Sequence, residues 1–225
     1  MYPSPTPEPV RTAPFARSWT PRRDRRRTCD TGRVTSPGGT ELWVLRHGQT
    51  AWSAANRHTG RTDVPLTAEG EEQARGLSGR LAAAGFDLVL ASPLERAFRT
   101  AELAGVRDIQ LEPLAMEWDY GEFEGLTRAQ IQQKIPGWTA WGYPKMPGGE
   151  TLDEVAARAR AVIERVRRDA PRRALLVAHA HLLRVLATQW IGQDAGLAQS
   201  LLLGPARSGV LGHDRGVPVI DRWNV

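Results

Sequence analysis

Short apolar runs that each stop at a polar residue set the architecture of this chain. Leu42 to Leu45 ends at Arg46 and His47, Phe86 to Ala91 ends at Ser92, and Ala174 to Ala178 ends at His179. Runs of this length read as strands buried on both faces. Helical signals fill the gaps between them. Thr67, followed by Glu69, Glu71 and Glu72, reads as a helix start with acids where the dipole favours them, and Ala74, Leu77, Leu81 and Ala84 continue one face until Gly85 stops it. Ser92, Pro93 and Glu95 read as a cap, a first-turn proline and a capping-box acid, which places Arg96 in the first turn of the next helix. Thr151 and Glu154 open another helix reaching about Asp169, with Leu152, Val155, Ala159, Val162, Ile163 and Val166 inward, and Leu182 to Ile191 forms a last one closed by Gly192.

Alternation of this kind predicts a three-layer α/β/α fold with a mostly parallel central sheet, and Val210 to His213 with Val217 to Ile220 is expected to add strands at one edge. Ligands of open α/β sheets sit outside the carboxyl ends of the strands. Arg46, His47, Arg96 and His179 all fall at such ends or in the turns after them.

Charge divides the chain in two. Residues 1–39 hold eight Arg against Glu8, Asp24 and Asp30, so the whole formal charge of +5 resides there, and the remainder carries 22 basic and 22 acidic residues. Seven of the sixteen Pro also lie in that segment. With almost no apolar periodicity it cannot bury enough surface to offset its ordering entropy, so residues 1–39 are expected to be a disordered extension and residues 40–225 a catalytic domain. Any nucleic-acid affinity is confined to the extension. It lacks the apolar stretch of an export signal, and no run approaches the ~18 apolar residues of a membrane span, because Arg80, Asp87 and Arg184 interrupt the best ones. Cys29, the single cysteine, lies in the extension, which removes thiol catalysis from the body and fits a reducing compartment; a cytoplasmic location is expected.

Two arginines, two histidines and a backbone freed by Gly48 suit a phosphate ester. Phosphate monoesters need accelerations of up to ~10²¹, far beyond the ~10² to 10⁴ of one general acid or base, so charge stabilisation must carry most of the work. Arg46 and Arg96 can each give paired, charge-assisted hydrogen bonds to phosphoryl oxygens. A neutral imidazole at His47 can attack the phosphorus from behind. His179, if protonated, would add a further cation, and the first helical amides after it could add donors. Glu117, in "MEWDYGEFEG", is the candidate proton donor for the leaving oxygen, since the approach of a dianion favours the protonated carboxyl.

These residues resemble a known family. "LRHGQT", "NRHTG", "DVPLTAEG", "SPLERAFRTAE", "EWDYGEFEG", "PGGET" and "VAHAHLLR", in that order over nearly the whole body, are similar to the histidine phosphatase superfamily, also called phosphoglycerate mutase-like. The resemblance implies that fold, His47 as the phosphorylated nucleophile, Arg46, Arg96 and His179 as the phosphate pocket, and Glu117 as the proton donor. It places Thr59, Gly60 and Tyr120 where members touch substrate. Ser53 stands where many carry Asn, and Ala180 where Gly is usual. It favours the branch of broad-specificity acid phosphatases and sugar-bisphosphatases acting on small phosphorylated metabolites, with no cofactor and no metal. Arg128, where mutases have a substrate-contacting Lys, supports phosphoryl transfer between positions of a phosphoglycerate as the alternative.

Other readings attach to single residues. His179 and His181 form an HxH pair that could hold a metal for a metallohydrolase, although no further ligand lies at suitable spacing, and a structural hydrogen bond is the simpler role for His181. An inactive phosphate-binding module would leave both arginines and Glu117 unexplained together. His58 is expected either to line the pocket mouth or to be solvated, His213 to lie at the surface, and Glu122 and Glu124 to face solvent. Trp138, Trp141 and Tyr143 are expected to pack in the core or in a lid.

Overall fold

The computed structural model describes residues 39–169 and 171–225; the extension, apart from its last residue, and Cys29 with it, lies outside the described residues. Six strands form one sheet: β1 (Glu41–Arg46), β2 (Leu88–Ala91), β3 (Ile109–Leu111), β4 (Arg173–Ala178), β5 (Ser208–Asp214) and β6 (Val217–Arg222). Their order across the sheet is β3-β2-β4-β1-β5-β6. Strands β1, β2, β3 and β4 are mutually parallel, whereas β5 and β6 run antiparallel at one edge, as the turn-flanked run at 210–220 predicted.

Helices cover both faces, which is why β4 is buried at every position. They are α1 (Ala51–Ala54), α2 (Ala68–Arg75), α3 (Ser78–Ala84), α4 (Glu95–Leu103), α5 (Arg128–Lys134), α6 (Leu152–Asp169) and α7 (Ala180–Trp190). Alternate residues of the central strands feed two cores. Leu42, Val44 and Leu176 pack with Val155, Val162 and Leu186 of α6 and α7, and Trp43, Leu45, Leu175 and Val177 pack with Leu81, Ala97 and Ala101 of α3 and α4. The inward face expected for α6 is the observed one, and its start carries the expected capping box between Thr151 and Glu154. None of the helices among the described residues is long and apolar enough to cross a membrane.

Two local expectations need correction, and one strand had gone unread. The helix read as continuous over 67–84 is broken into α2 and α3. Gly76 and Gly79 weaken its middle, and at the break the Leu77 amide bonds Ala74 O, a tighter turn than the α-helical one. Ser92 does not cap α4. That helix starts two residues later, with Leu94 at the N-cap, and the Glu95 amide donates instead to both oxygens of Asp63, each 3.0 Å away. Strand β3 had no sequence signal because it is a short edge strand with exposed side chains.

The parallel register fixes the site. Arg46 pairs with Ala178 and Ala91 with Val177, so β1, β2 and β4 end level with one another. The next amides continue the ladder, with His47 N donating to Ala178 O at 3.0 Å and Ser92 N to Val177 O at 2.9 Å. The loop after β1 is held against α2 by two glycines in backbone contact. A Cβ added at Gly48 would collide with Gly70 O, and one added at Gly70 would collide with Gln49 O. Gly70→Ala is therefore expected to destabilise the protein by about 1–3 kcal/mol through overpacking against backbone. Gly79→Ala, inside α3 with nothing near the added methyl, is expected to stabilise it by about 0.5–1 kcal/mol. Urea unfolding midpoints of the two variants check both signs.

Candidate active site

His47 leaves β1 directly into the first turn of the loop, and its ring is buried. Its Nδ1 lies 2.7 Å from Gly48 O. A carbonyl only accepts, so Nδ1 carries the proton and Nε2 keeps a lone pair. Burial, then the charges of Arg46 and Arg96, push the imidazole well below the usual histidine range, so it stays neutral. The position and the chemistry agree with a nucleophile.

His179, one strand over, has its ring centroid 5.2 Å from that of His47. Arg96 Nε donates to its Nδ1 at 3.2 Å, and its Nε2 lies 2.8 Å from Ser92 Oγ. Both nitrogens are thus committed, with the ring proton on Nε2 facing the serine. Burial, then Arg96, also holds this ring well below the usual range. The condition set for a cationic His179, a protonated ring, is not met in the ligand-free protein, where the ring is neutral and holds Arg96.

Arg96 is fully buried. Besides His179 it donates from Nη1 to Thr62 O at 2.9 Å and from Nη2 to Gly60 O at 2.8 Å, with Asp63 Oδ1 3.7 Å from Nη1. The loop that supplies these carbonyls is held in turn by Glu124, whose carboxylate accepts from Arg61 N at 2.6 Å, Thr62 N at 2.8 Å and the Thr62 hydroxyl. Glu124 is half-buried, and it ties down the Arg96 loop; the expectation that it faces solvent is corrected, while Glu122 is exposed. Gly60 is buried for the same reason, since a Cβ there would meet Glu124 and Trp118 O. Arg46 differs from Arg96. Its Nη1 donates to Leu203 O at 2.8 Å, but its Nε is buried with no partner among the described residues. Burial is the main influence against the charge of both guanidiniums, and Glu117 is the foremost group sustaining it.

Glu117 is buried, at 4% exposure, yet amply solvated by backbone. Oε1 accepts from Trp118 N and Leu182 N, both at 2.9 Å, and Oε2 accepts from His181 N at 3.0 Å. The first amides of α7 that were expected to hold phosphate thus hold the acid instead. Ala180 opens that helix without a positive φ, so its methyl is tolerated by the backbone. The Tyr120 hydroxyl is hydrogen-bonded to His181 Nδ1, and burial, then Glu117, raises the phenol well above its ordinary range. His181 and His179 do not converge on a common point of ligation, because their Nδ1 atoms are spoken for by different partners. Among the described residues no group of three or more His, Cys, Asp or Glu side chains is arranged to hold a metal.

A pocket of about 270 Å³ opens above this floor. Of the residues singled out in the sequence, Arg46, His47, Ser53, Thr59, Glu117, Tyr120 and Ala180 line it, while Arg96, His179 and Gly60 lie behind the lining. Ser53 has its hydroxyl engaged, donating to Thr50 O at 3.0 Å and accepting from Thr50 N in a capping box. His58 lines the mouth, its Nδ1 3.0 Å from Leu126 O, and Arg128 stands beside it. Trp138 is buried and Trp141 and Tyr143 pack against the core. His213 is half-buried against Trp190 rather than free at the surface. Sequence reasoning missed Asn56 and Arg57 in the wall, Asp63 at the start of α4, and Ser92 on His179. All four stand inside the motifs quoted for the resemblance, "NRHTG", "DVPLTAEG" and "SPLERAFRTAE", which is the signal that could have found them.

Comparisons with known proteins place the chain. The family model of the histidine phosphatase superfamily (branch 1) matches residues 42–225. An acid phosphatase of Mycobacterium tuberculosis is 37% identical over 179 residues, covering 78% of this chain and 88% of the relative. A probable phosphoglycerate mutase of Enterobacter sp. (strain 638) is 32% identical over 174 residues, covering 72% and 80%. Among solved structures, a mycobacterial glucosyl-3-phosphoglycerate phosphatase in complex with VO3 superposes with a TM-score of 0.75 at 29% identity, covering 82% of this chain and 98% of that one.

The neutral imidazoles make stability depend on pH. For His47, His179 and His181 the folded form resists protonation, so below the ordinary histidine value of 6.5 the unfolded chain binds more protons. Stability from these groups is complete above that value and falls as pH drops through it. The melting temperature is expected to decline from pH 7 to pH 5.5, and replacing His179 with Gln should flatten that decline in a thermal scan series.

Proposed function

From the premise that this chain belongs to the histidine phosphatase superfamily, we propose that it is a phosphate monoester hydrolase acting on small phosphorylated metabolites through a phosphohistidine at His47. The observation that carries the reading is the lone pair of His47 Nε2, set by the bond of Nδ1 to Gly48 O and facing a pocket edged by Arg46. The phosphatase name of the M. tuberculosis relative supports it.

Nε2 attacks the phosphorus, and the P–O ester bond breaks on the far side. Positive charge appearing on the ring is met by the Gly48 carbonyl at Nδ1. The departing alkoxide takes a proton from Glu117. Oε1 already accepts two amides and Oε2 one, so Oε2 has the acceptor site left for that proton. In the second half, water attacks the phosphorus, Glu117 receives its proton, the P–N bond breaks, and inorganic phosphate leaves His47 as it began. Arg46, with a buried Nε awaiting an acceptor, supplies charge to the phosphoryl oxygens without reorganising. Arg96 adds positive charge from directly behind, through contacts already formed.

A phosphoglycerate mutase reading has one observation in its favour: Arg128 lines the mouth of the pocket, where it could hold a second anionic group while the phosphoryl group is returned. Transfer between positions of a phosphoglycerate without release of phosphate would distinguish it.

His47→Ala is expected to lower turnover of an aryl phosphate by at least about 10⁴-fold, and retained turnover would overturn the phosphohistidine route. Glu117→Gln is expected to cost about 10² to 10⁴-fold on alkyl phosphates, where the leaving group needs the proton, and much less on an aryl phosphate with an acidic phenol. Steady-state kinetics on matched alkyl and aryl esters measures the contrast.

A further inference from the structure

His181 and His58 are the pocket-wall histidines whose side chains have no part in the chemistry above, and of the two His181 lies beside the proton donor. It sits on the first turn of α7, two residues after His179, and its backbone amide already holds Glu117 Oε2. The ring is gripped from several sides. The Tyr120 hydroxyl is hydrogen-bonded to Nδ1. Trp141 meets the ring edge-on with centroids 4.8 Å apart, and Trp118 does so at 6.3 Å. Trp141 is itself backed by the Arg184 guanidinium, 4.6 Å from its centroid.

A phenol is the stronger acid and an imidazole nitrogen the stronger base, so the favoured bond runs from Tyr120 to Nδ1. With Nδ1 accepting from a phenol, a neutral ring carries its proton on Nε2. Burial, then Arg184, keeps the ring neutral, and a phenol raised well above its ordinary range keeps its own proton. Nε2 makes no protein hydrogen bond among the described residues, although the ring lines the same pocket as Glu117 and His47. The wall next to the proton donor therefore offers one fixed, neutral N–H donor. An aliphatic residue at this place would close the wall equally well, and Tyr120 would then lose its acceptor.

We propose that His181, oriented by Tyr120, is a specificity-determining residue that donates its Nε2 hydrogen to an oxygen of the leaving alcohol close to the scissile ester, so that the enzyme prefers phosphate esters of hydroxylated alcohols such as polyols and sugars. The preference rests on the phosphatase reading of the same pocket. A neutral donor suits it: it discriminates for an acceptor without competing with the arginines for the phosphoryl oxygens, and a polar site left unpaired rejects the ligand that lacks the partner.

The test compares 2-hydroxyethyl phosphate with ethyl phosphate, which differ by a single hydroxyl, in the wild-type enzyme, His181→Leu and His181→Gln. The wild-type ratio of kcat/KM is expected to favour the hydroxylated ester by about tenfold to a hundredfold. In His181→Leu the ratio should fall to near one whatever the overall activity. In His181→Gln, whose amide can accept from Tyr120 and donate into the pocket, most of the ratio should return. A wild-type ratio near one overturns the proposal without any variant, as does a Leu variant that keeps the wild-type ratio or a Gln variant that behaves like Leu. Failure of the phosphatase reading is a separate result: the wild-type enzyme would then release phosphate from neither these esters nor an aryl phosphate.

Discussion

A guanidinium with no exposure to water, that of Arg96, organises the rest of this site. A buried cation is costly unless its donors are met, and here they are met by parts of the chain far apart in sequence: the carbonyls of Gly60 and Thr62 and the ring of His179. Satisfying that one group fixes the loop after β1, the end of β4 and the start of α4 relative to one another. Asp63 serves twice, approaching the guanidinium and taking the amide of Glu95 where α4 begins. Glu124 then locks the loop from outside, so its contribution reaches the phosphate site through two intervening contacts.

The consequence is an electrostatic imbalance held in place by packing. Arg46, Arg57 and Arg128 line a pocket that carries, among the described residues, a single carboxylate, Glu117, and among those residues Arg46 Nε has no acceptor of its own. A buried polar group left unpaired costs about 1–3 kcal/mol, which an arriving phosphoryl oxygen would relieve. The same positive field, together with burial, strips His47 of its proton. Binding of the anion and readiness of the nucleophile thus have one physical origin. Glu117 is coupled to the guanidiniums of both Arg46 and Arg96 through charge but takes its hydrogen bonds from backbone amides, two of them from the start of α7.

Much of this was legible along the chain. Apolar runs ending at Arg46, Ser92 and His179 specify buried parallel strands whether or not their neighbours are known, because a strand covered on both faces needs uninterrupted apolar side chains. The pairing of Thr151 with Glu154 is equally local, and both capping bonds form as read. Where local signals misled, a distant partner had taken over. Ser92 looks like a cap, but His179 claims its hydroxyl and Asp63 takes over the start of α4. Glu124 looks like a solvated acid, but backbone amides at 61 and 62 reach it across more than sixty residues of chain.

The sequence by itself determined the fold class and most of the order of elements, and it singled out His47, Glu117, Arg46 and Arg96 as candidates, since each depends on residue type and on periodicities read within a few positions. Tertiary structure alone decided protonation and tautomer. That His47 keeps its lone pair on Nε2, and that His179 accepts from Arg96 while its Nε2 faces Ser92, follow from which partner meets each ring nitrogen. Those partners come together only when three parallel strands end level, and hydrogen bonding at a few ångströms has no counterpart in linear spacing.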